Sequence, residues 1–363
     1  MKIVVVIGSL ERGGSERQIV EFVQAAHPAH AECVVICLDV EGALAGDARR
    51  NGARIVSLGL SSSRSGGVRE VLALARTLRR ERPDVVYAFL FWGYSLALPV
   101  SALVSPRALR VAARRSLPGT DVPRRRVFGA LRPLADAATH VVIANSQAVR
   151  DAWASSTPRL ETRLRVVVNG VAPAPERQRR RRAGDPLAIV CVANLIHYKG
   201  HDTLLDAAAR IRSSVAWRLW LVGDGPERER IEAKIARLGL ADRVDLLGLR
   251  DDADDILAGA DMAVLASRTE GLPNAVMEAM AHGLPVVATD VGGVRELLDA
   301  GGGSVVPVDA PDELARALEA LLDDAALRDR VGAVGRRTIA ERYSIESMRD
   351  RTLAVLRDEQ ARR

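Results

Sequence analysis

The sequence predicts an α/β protein of two doubly wound, Rossmann-like domains whose parallel sheets face a central cleft. Three observations predict it. Short apolar runs alternate with helix-period segments along the whole chain. The alternation breaks once, at Ala172-Pro173-Ala174-Pro175, Arg179-Arg180-Arg181-Arg182 and Ala183-Gly184-Asp185-Pro186, which reads as a linker over 172–186. A length of 363 residues, 48% of them hydrophobic, suits two soluble domains better than one.

In chain order, strands are expected at 2–7, 32–38, 53–57, 84–88, 109–113, 140–144 and 164–168, with helices at 15–26, 67–81 and 123–136. These make an N-terminal domain over 1–171. After the linker, strands at 187–193, 217–222, 243–247, 262–265 and 285–288 alternate with helices at 201–212, 226–238, 274–282, 311–322 and 325–342. They make a second domain over 187–342. A last helix, 343–363, is expected to pack back on the first domain. Such sheets bind ligands beyond the carboxyl ends of their strands, so the chemistry belongs there.

Charge and cysteines narrow the classes. The net charge of +6 divides into +14 over residues 1–183 and −8 over 184–363. The basic half should be drawn to an anion: nucleic acid, a membrane surface or a phosphorylated substrate. Arginines 107, 110, 114, 115, 124, 125, 126 and 132 face one acid, Asp121, and follow the apolar run Phe89-Leu90-Phe91-Trp92-Gly93-Tyr94. That juxtaposition suits a surface resting on anionic lipid; a buried helix beside a solvated arginine face accounts for it as well. A nucleic-acid module would need zinc ligands or an aromatic RNA-binding strand, and neither pattern is present. Cys33, Cys37 and Cys191 form no disulfide framework and no Cys-x-x-Cys pair, which suits a reducing, cytoplasmic setting.

Four strand-end loops are candidates to carry chemistry. Gly8-Ser9-Leu10-Glu11-Arg12-Gly13-Gly14-Ser15 nearly spells a P-loop, but Gly14 stands where the lysine would be. The Gly13-Gly14 pair can present a helix N-terminus to an anion, and a tight strand-to-helix turn explains it equally well. Asn194-Leu195-Ile196-His197-Tyr198-Lys199-Gly200 puts Lys199, one of three lysines against 49 arginines, at a strand end where it can neutralise a phosphate. His197 and His201 stand four apart, but no third ligand follows at metal spacing, so loop packing or surface is the simpler role. Gly223, in Gly223-Asp224-Gly225-Pro226, makes a further strand-end turn. Finally, Glu270-Gly271-Leu272-Pro273-Asn274-Ala275-Val276-Met277-Glu278 leads from a strand into a helix. Gly271 admits close approach of a ligand, and the amides of Leu272, Asn274 and Ala275 would face an anion. Glu270 on the loop and Glu278 two turns into the helix flank that cradle, as a nucleotide sugar requires.

The Glu-x7-Glu element at Glu270 and Glu278, with Ser267-Arg268-Thr269 before it and Ala281-His282-Gly283-Leu284-Pro285 after it, resembles retaining glycosyltransferases of the GT-B fold, glycosyltransferase family 4. Gly13-Gly14-Ser15-Glu16-Arg17, Asn145-Ser146, Asn169-Gly170, Lys199-Gly200, Gly223-Asp224-Gly225-Pro226 and Gly292-Gly293-Val294-Arg295-Glu296 extend the resemblance over nearly the whole chain. It implies that Glu278 holds the donor ribose, Glu270 contacts the transferred sugar and Lys199 neutralises the leaving diphosphate. Gly13 and Gly14 would near the donor from the other domain, and Asn194, Gly223, Gly271, Leu272, Pro273 and Asn274 would complete its site. Many members carry arginine where Asn194 stands, and a histidine where this chain has Ala113-Arg114-Arg115-Ser116. The implied activity moves a sugar from a UDP- or GDP-sugar to a glycan or lipid-linked acceptor, with retention, without a metal or other cofactor, on the inner face of the cell membrane. The alternatives are a nucleotide-sugar epimerase of the same fold and, from a different class, a basic nucleic-acid-binding protein.

Overall fold

The computed structural model describes residues 1–60, 68–120, 126–175 and 184–363, except the side chains of 70 and 126–130. The chain forms two compact units, Met1–Gly170 with Ile345–Arg363, and Val171–Ser344. At the crossing points Val171 and Ser344 pair in a parallel bridge, and the Val171 amide donates to the Tyr343 carbonyl at 3.0 Å. Both units are Rossmann-like and built on parallel sheets.

The first unit holds strands β1 (Lys2–Ile7), β2 (Glu32–Cys37), β3 (Arg54–Ser57), β4 (Val85–Ala88), β5 (Leu109–Arg114), β6 (Val141–Ala144) and β7 (Leu164–Val166). They lie in the order β3-β2-β1-β4-β5-β6-β7, all parallel. Helices α1 (Gly14–Ala26), α2 (Ala45–Arg50), α3 (Val68–Glu81), α4 (Leu90–Val104), α5 (Arg126–Ala138) and α6 (Gln147–Ser156) connect them. Because helices cover both faces, the strands read as continuous apolar runs. Ile3, Val5 and Ile7 enter one core with Ile19 and Val23 of α1; Val4 and Val6 enter the other with Leu74, Leu78 and Leu98.

The second unit holds β8 (Leu187–Val192), β9 (Trp217–Val222), β10 (Val244–Gly248), β11 (Met262–Leu265), β12 (Val286–Thr289) and β13 (Gly303–Val306), in the order β10-β9-β8-β11-β12-β13. Its helices are α7 (His201–Ala208), α8 (Arg228–Arg237), α9 (Ala253–Gly259), α10 (Asn274–Ala281), α11 (Val294–Leu298), α12 (Pro311–Asp323) and α13 (Ala325–Arg342). Helix α14 (Ile345–Ala361) belongs to the first unit, where Met348, Leu353 and Leu356 join the α1 core.

Of the two readings of the apolar run beside the arginines, the structure shows the buried helix. Phe89 and Tyr94 are core residues, and most of α4 is buried, so the apolar run beside the arginines is a buried helix and not a lipid-facing surface. Nor do the arginines share a face: β5 separates Arg107 and Arg110, at its amino end, from Arg114 and Arg115 at its carboxyl end. Arg124 and Arg125, Asp121, and Arg179–Arg182 of the expected linker lie outside the described residues, as does the Arg126 side chain. Among the described residues no helix is long and apolar enough to cross a membrane.

Arg114 is the most demanding core residue. Its side chain is 1% exposed, as is that of Asp136, whose Oδ1 accepts from Nη2 at 3.1 Å. The guanidinium stacks on Tyr94 at 3.7 Å and on Trp153 at 4.2 Å. Among the described residues Asp136 is its one close counter-ion, and a buried charge that loses its counter-ion is strongly destabilising. Asp136→Ala is therefore expected to cost about 3–5 kcal/mol. Urea denaturation measures this; a loss under about 1 kcal/mol would mean that aromatic stacking alone holds the cation.

Candidate active site

In the second unit the strand order reverses between β8 and β11, the switch point at which open α/β sheets bind ligands. The loop after β8 carries Lys199 and the loop after β11 carries Glu270. Two backbone features bring these loops together. Gly200 adopts φ +68°, and a Cβ there would lie 1.9 Å from the Ala266 carbonyl oxygen. The Arg268 amide donates to the Tyr198 carbonyl at 2.8 Å, and Arg268 Nη1 to the His197 carbonyl at 3.0 Å. As a result Lys199 Nζ donates to Glu270 Oε1 at 2.6 Å, with both side chains mostly buried.

Two residues that the motif reading passed over set the Glu270 carboxylate. Ser267 Oγ donates to the same Oε1 at 2.7 Å, and Thr289 Oγ1 at the end of β12 donates to the Ser267 carbonyl at 2.6 Å. Arg268 Nε also donates to Asp309 Oδ1 at 2.9 Å, and this guanidinium holds the Asp309 carboxyl below its ordinary range. Ser267 reaches Glu270 within its own loop, three residues away, whereas Thr289 is brought to Ser267 by the adjacency of β11 and β12.

The Glu270–Glu278 segment then turns into α10. The Gly293 amide donates to the Gly271 carbonyl at 2.6 Å, and Gly292, at φ +50°, has no room for a Cβ against the Glu270 and Gly271 carbonyls. Leu272 and Pro273 are buried, while Asn274 and Glu278 are partly exposed. Pro273 is the N-cap and offers no side-chain oxygen to the Ala275 and Val276 amides. Glu278 is the fifth residue of α10, little more than one turn in, which shortens the expected two-turn separation.

Asn194 is exposed, and Gly223, at φ +140°, packs its backbone against the Ala193 carbonyl where a Cβ would fall 2.2 Å away. Gly13 and Gly14 belong to the first unit: Gly13 is the extended N-cap of α1 and Gly14 its first residue. His197 is exposed on a short 3-10 turn, while His201 is buried at the start of α7 with neither ring nitrogen hydrogen-bonded. Among the described residues, no three His, Cys, Asp or Glu side chains group as a metal site.

Residues 12–174 match Glycosyltransferase Family 4, and residues 186–324 match Glycosyl transferases group 1. Over 298 residues the chain is 30% identical to the GDP-mannose-dependent alpha-(1-6)-phosphatidylinositol monomannoside mannosyltransferase of Mycobacterium tuberculosis, covering 74% of this chain and 76% of that one. The chain belongs to glycosyltransferase family 4. It is 32% identical over 198 residues to the lipopolysaccharide core biosynthesis glycosyltransferase LpsE of Rhizobium meliloti, covering 53% of this chain and 57% of LpsE. The match thus spans little more than half the length of that relative. In three dimensions it resembles the Anabaena protein HepE, solved in complex with UDP and glucose, with a TM-score of 0.84, 22% identity and coverage of 98% and 99%. That likeness shows the fold.

His201 supplies a test of the local packing. Burial, and then the Lys199 charge, push its imidazole down to about 4. The unfolded chain takes up that proton near 6.5, so from there down to pH 4 the unfolded state binds more protons than the folded one. Stability present above pH 6.5 is therefore lost as pH falls toward 4, by at most about 3 kcal/mol. His201→Leu should flatten this slope and cost nothing at pH 7, because no hydrogen bond is lost. An unchanged pH profile in denaturant titrations would contradict the assignment.

Proposed function

We propose that this family 4 protein is a retaining glycosyltransferase that moves a sugar from a UDP- or GDP-sugar to a glycan or lipid-linked acceptor in cell-surface polysaccharide or glycolipid synthesis. The observation that carries the reading is the Lys199–Glu270 contact at 2.6 Å, made by loops from the two strands flanking the switch point. The names of the relatives, lipopolysaccharide core and GDP-mannose-dependent enzymes, support the acceptor class; the HepE complex supports a nucleotide-sugar donor.

When the bond between C1 and the diphosphate breaks, the electron pair passes to the phosphate oxygen. Lys199 and the Ala275 and Val276 amides meet that charge, so the neutralisation needs no metal ion. The acceptor hydroxyl oxygen bonds to C1 on the face the diphosphate leaves, and its proton passes to the departing phosphate oxygen. Ser267 and Lys199 both occupy Oε1 of Glu270, which leaves Oε2 for a sugar hydroxyl. Glu278 takes the ribose hydroxyls. Asn194, Gly223, Gly271, Leu272, Pro273 and Asn274 line the donor. Peripheral contact with an anionic membrane belongs to the same proposal; it rests on arginine alone, since Phe89 and Tyr94 are core residues.

Lys199→Ala should lower turnover about 10²–10³-fold with little change in melting temperature. Near-normal turnover with a purified donor would sink the assignment. Transfer should persist in EDTA; complete loss, restored by Mg²⁺ or Mn²⁺, would refute metal independence. Glu278→Gln should weaken binding of the free nucleoside diphosphate in calorimetry, whereas Glu270→Gln should mainly impair transfer. Equal losses of nucleotide binding in both variants would contradict the division of roles.

A further inference from the structure

The amino-terminal edge of the first sheet, opposite its strand-end loops, carries a concentration of positive charge that the proposed transfer does not use. There the starts of β5, β6 and β7 meet the end of α14 around a solvent-open cavity of about 270 Å³. Its walls include Ala137, His140, Arg163, Arg362 and Arg363, and Glu359 is the carboxylate among them. Glu359 is already engaged: its Oε1 accepts from Arg165 Nη2 at 2.5 Å and from Arg362 Nη1 at 3.2 Å.

The other guanidinium groups are held by neutral carbonyls. Arg163 Nη1 donates to the Thr139 carbonyl at 2.7 Å, Arg363 Nη1 to that of Ala108 at 2.9 Å and Arg110 Nε to that of Ala138 at 2.7 Å. Carbonyls fix the position of a cation but bring no compensating charge. Among the described side chains, five arginines therefore gather at this edge against one carboxylate.

His140 shows the excess in its hydrogen bonding. Its Nδ1 lies 3.0 Å from the Arg110 amide and its Nε2 lies 2.5 Å from Arg110 Nη2, and both neighbours are donors. A neutral imidazole accepts at one nitrogen and carries a hydrogen on the other, so one ring N–H faces another donor. Burial and the charges of Arg110, Arg363 and Arg163 push this imidazole down to about 4. Donors outnumber acceptors, and an anion in the cavity would correct both the charge and the hydrogen-bond count.

We propose that this cavity is a binding site for a phosphate-class anion, either a free phosphomonoester or the phosphate of a lipid headgroup. Arg163, Arg362 and Arg363 supply the charge, and the planar forks of their guanidinium groups suit phosphate oxygens. The cavity is smaller than the pockets that enclose drug-sized ligands, which suits a phosphate with a short substituent.

The test follows the His140 ring resonances at neutral pH in the full-length protein, with ¹⁵N-labelled histidine, as inorganic phosphate replaces chloride at constant ionic strength. The expected result is a saturable shift of His140. Arg163→Gln should weaken it about tenfold, the loss expected of one charge-assisted contact. Ala137→Glu, which places a carboxylate on an exposed wall without removing any arginine, should abolish it while leaving the melting temperature unchanged. A shift that never saturates, or one that Ala137→Glu leaves intact, overturns the proposal. Phosphatidylcholine vesicles containing phosphatidic acid identify the source. Sedimentation that phosphate competes away points to a headgroup; saturable phosphate binding without sedimentation points to a soluble ligand. Either result upholds the site.

Discussion

The contact between Lys199 Nζ and Glu270 Oε1 is the interaction around which the second unit's site is organised. An ammonium and a carboxylate sharing one partly buried corner satisfy each other in the resting chain. In the proposed function each serves a different part of a nucleotide sugar: the cation the diphosphate, the carboxylate the hexose. Under that proposal a diphosphate entering between them would replace the carboxylate as the partner of Lys199, while the Ser267 hydroxyl, which donates to Glu270 Oε1 at 2.7 Å, would still hold Glu270 in place. The nearby imidazole stays neutral because it is buried and because Lys199 repels a second positive charge.

Keeping that contact requires close backbone packing more than side-chain packing. Gly200 against Ala266, Gly223 against Ala193 and Gly292 against Glu270 and Gly271 are positions where any Cβ would force the loops apart, and all three have positive φ. These glycines let four strand-end loops converge without intervening side chains. The result follows from sheet order: β8, β9, β11 and β12 end on the same edge, and the reversal between β8 and β11 leaves the space that the loops fill.

Much of this was legible in the residues. The strands are continuous apolar runs because helices cover both faces, and most of their positions follow from that pattern. Lys199, Glu270 and the glycine turns sit at strand ends, where their spacing placed them. Other features were hidden for physical reasons. Helix α4 is apolar nearly all round, so it shows no amphipathic period, and its aromatic residues resembled a surface patch. Helix α11 and strand β13 are only five and four residues long, too short for a period to appear. The arginines at 107–115 looked like one cluster because they are close in sequence, but a strand carries them to opposite edges of the sheet. Thr289 could not be linked to Ser267, and through it to Glu270, without the pairing of β11 with β12.

The most direct test of this account is a crystal structure of the protein with a bound nucleoside diphosphate. The account predicts a phosphate oxygen within hydrogen-bond distance of Lys199 Nζ, near the start of α10, and a Lys199–Glu270 separation longer than 2.6 Å. A nucleotide bound elsewhere, with that contact intact, would contradict it.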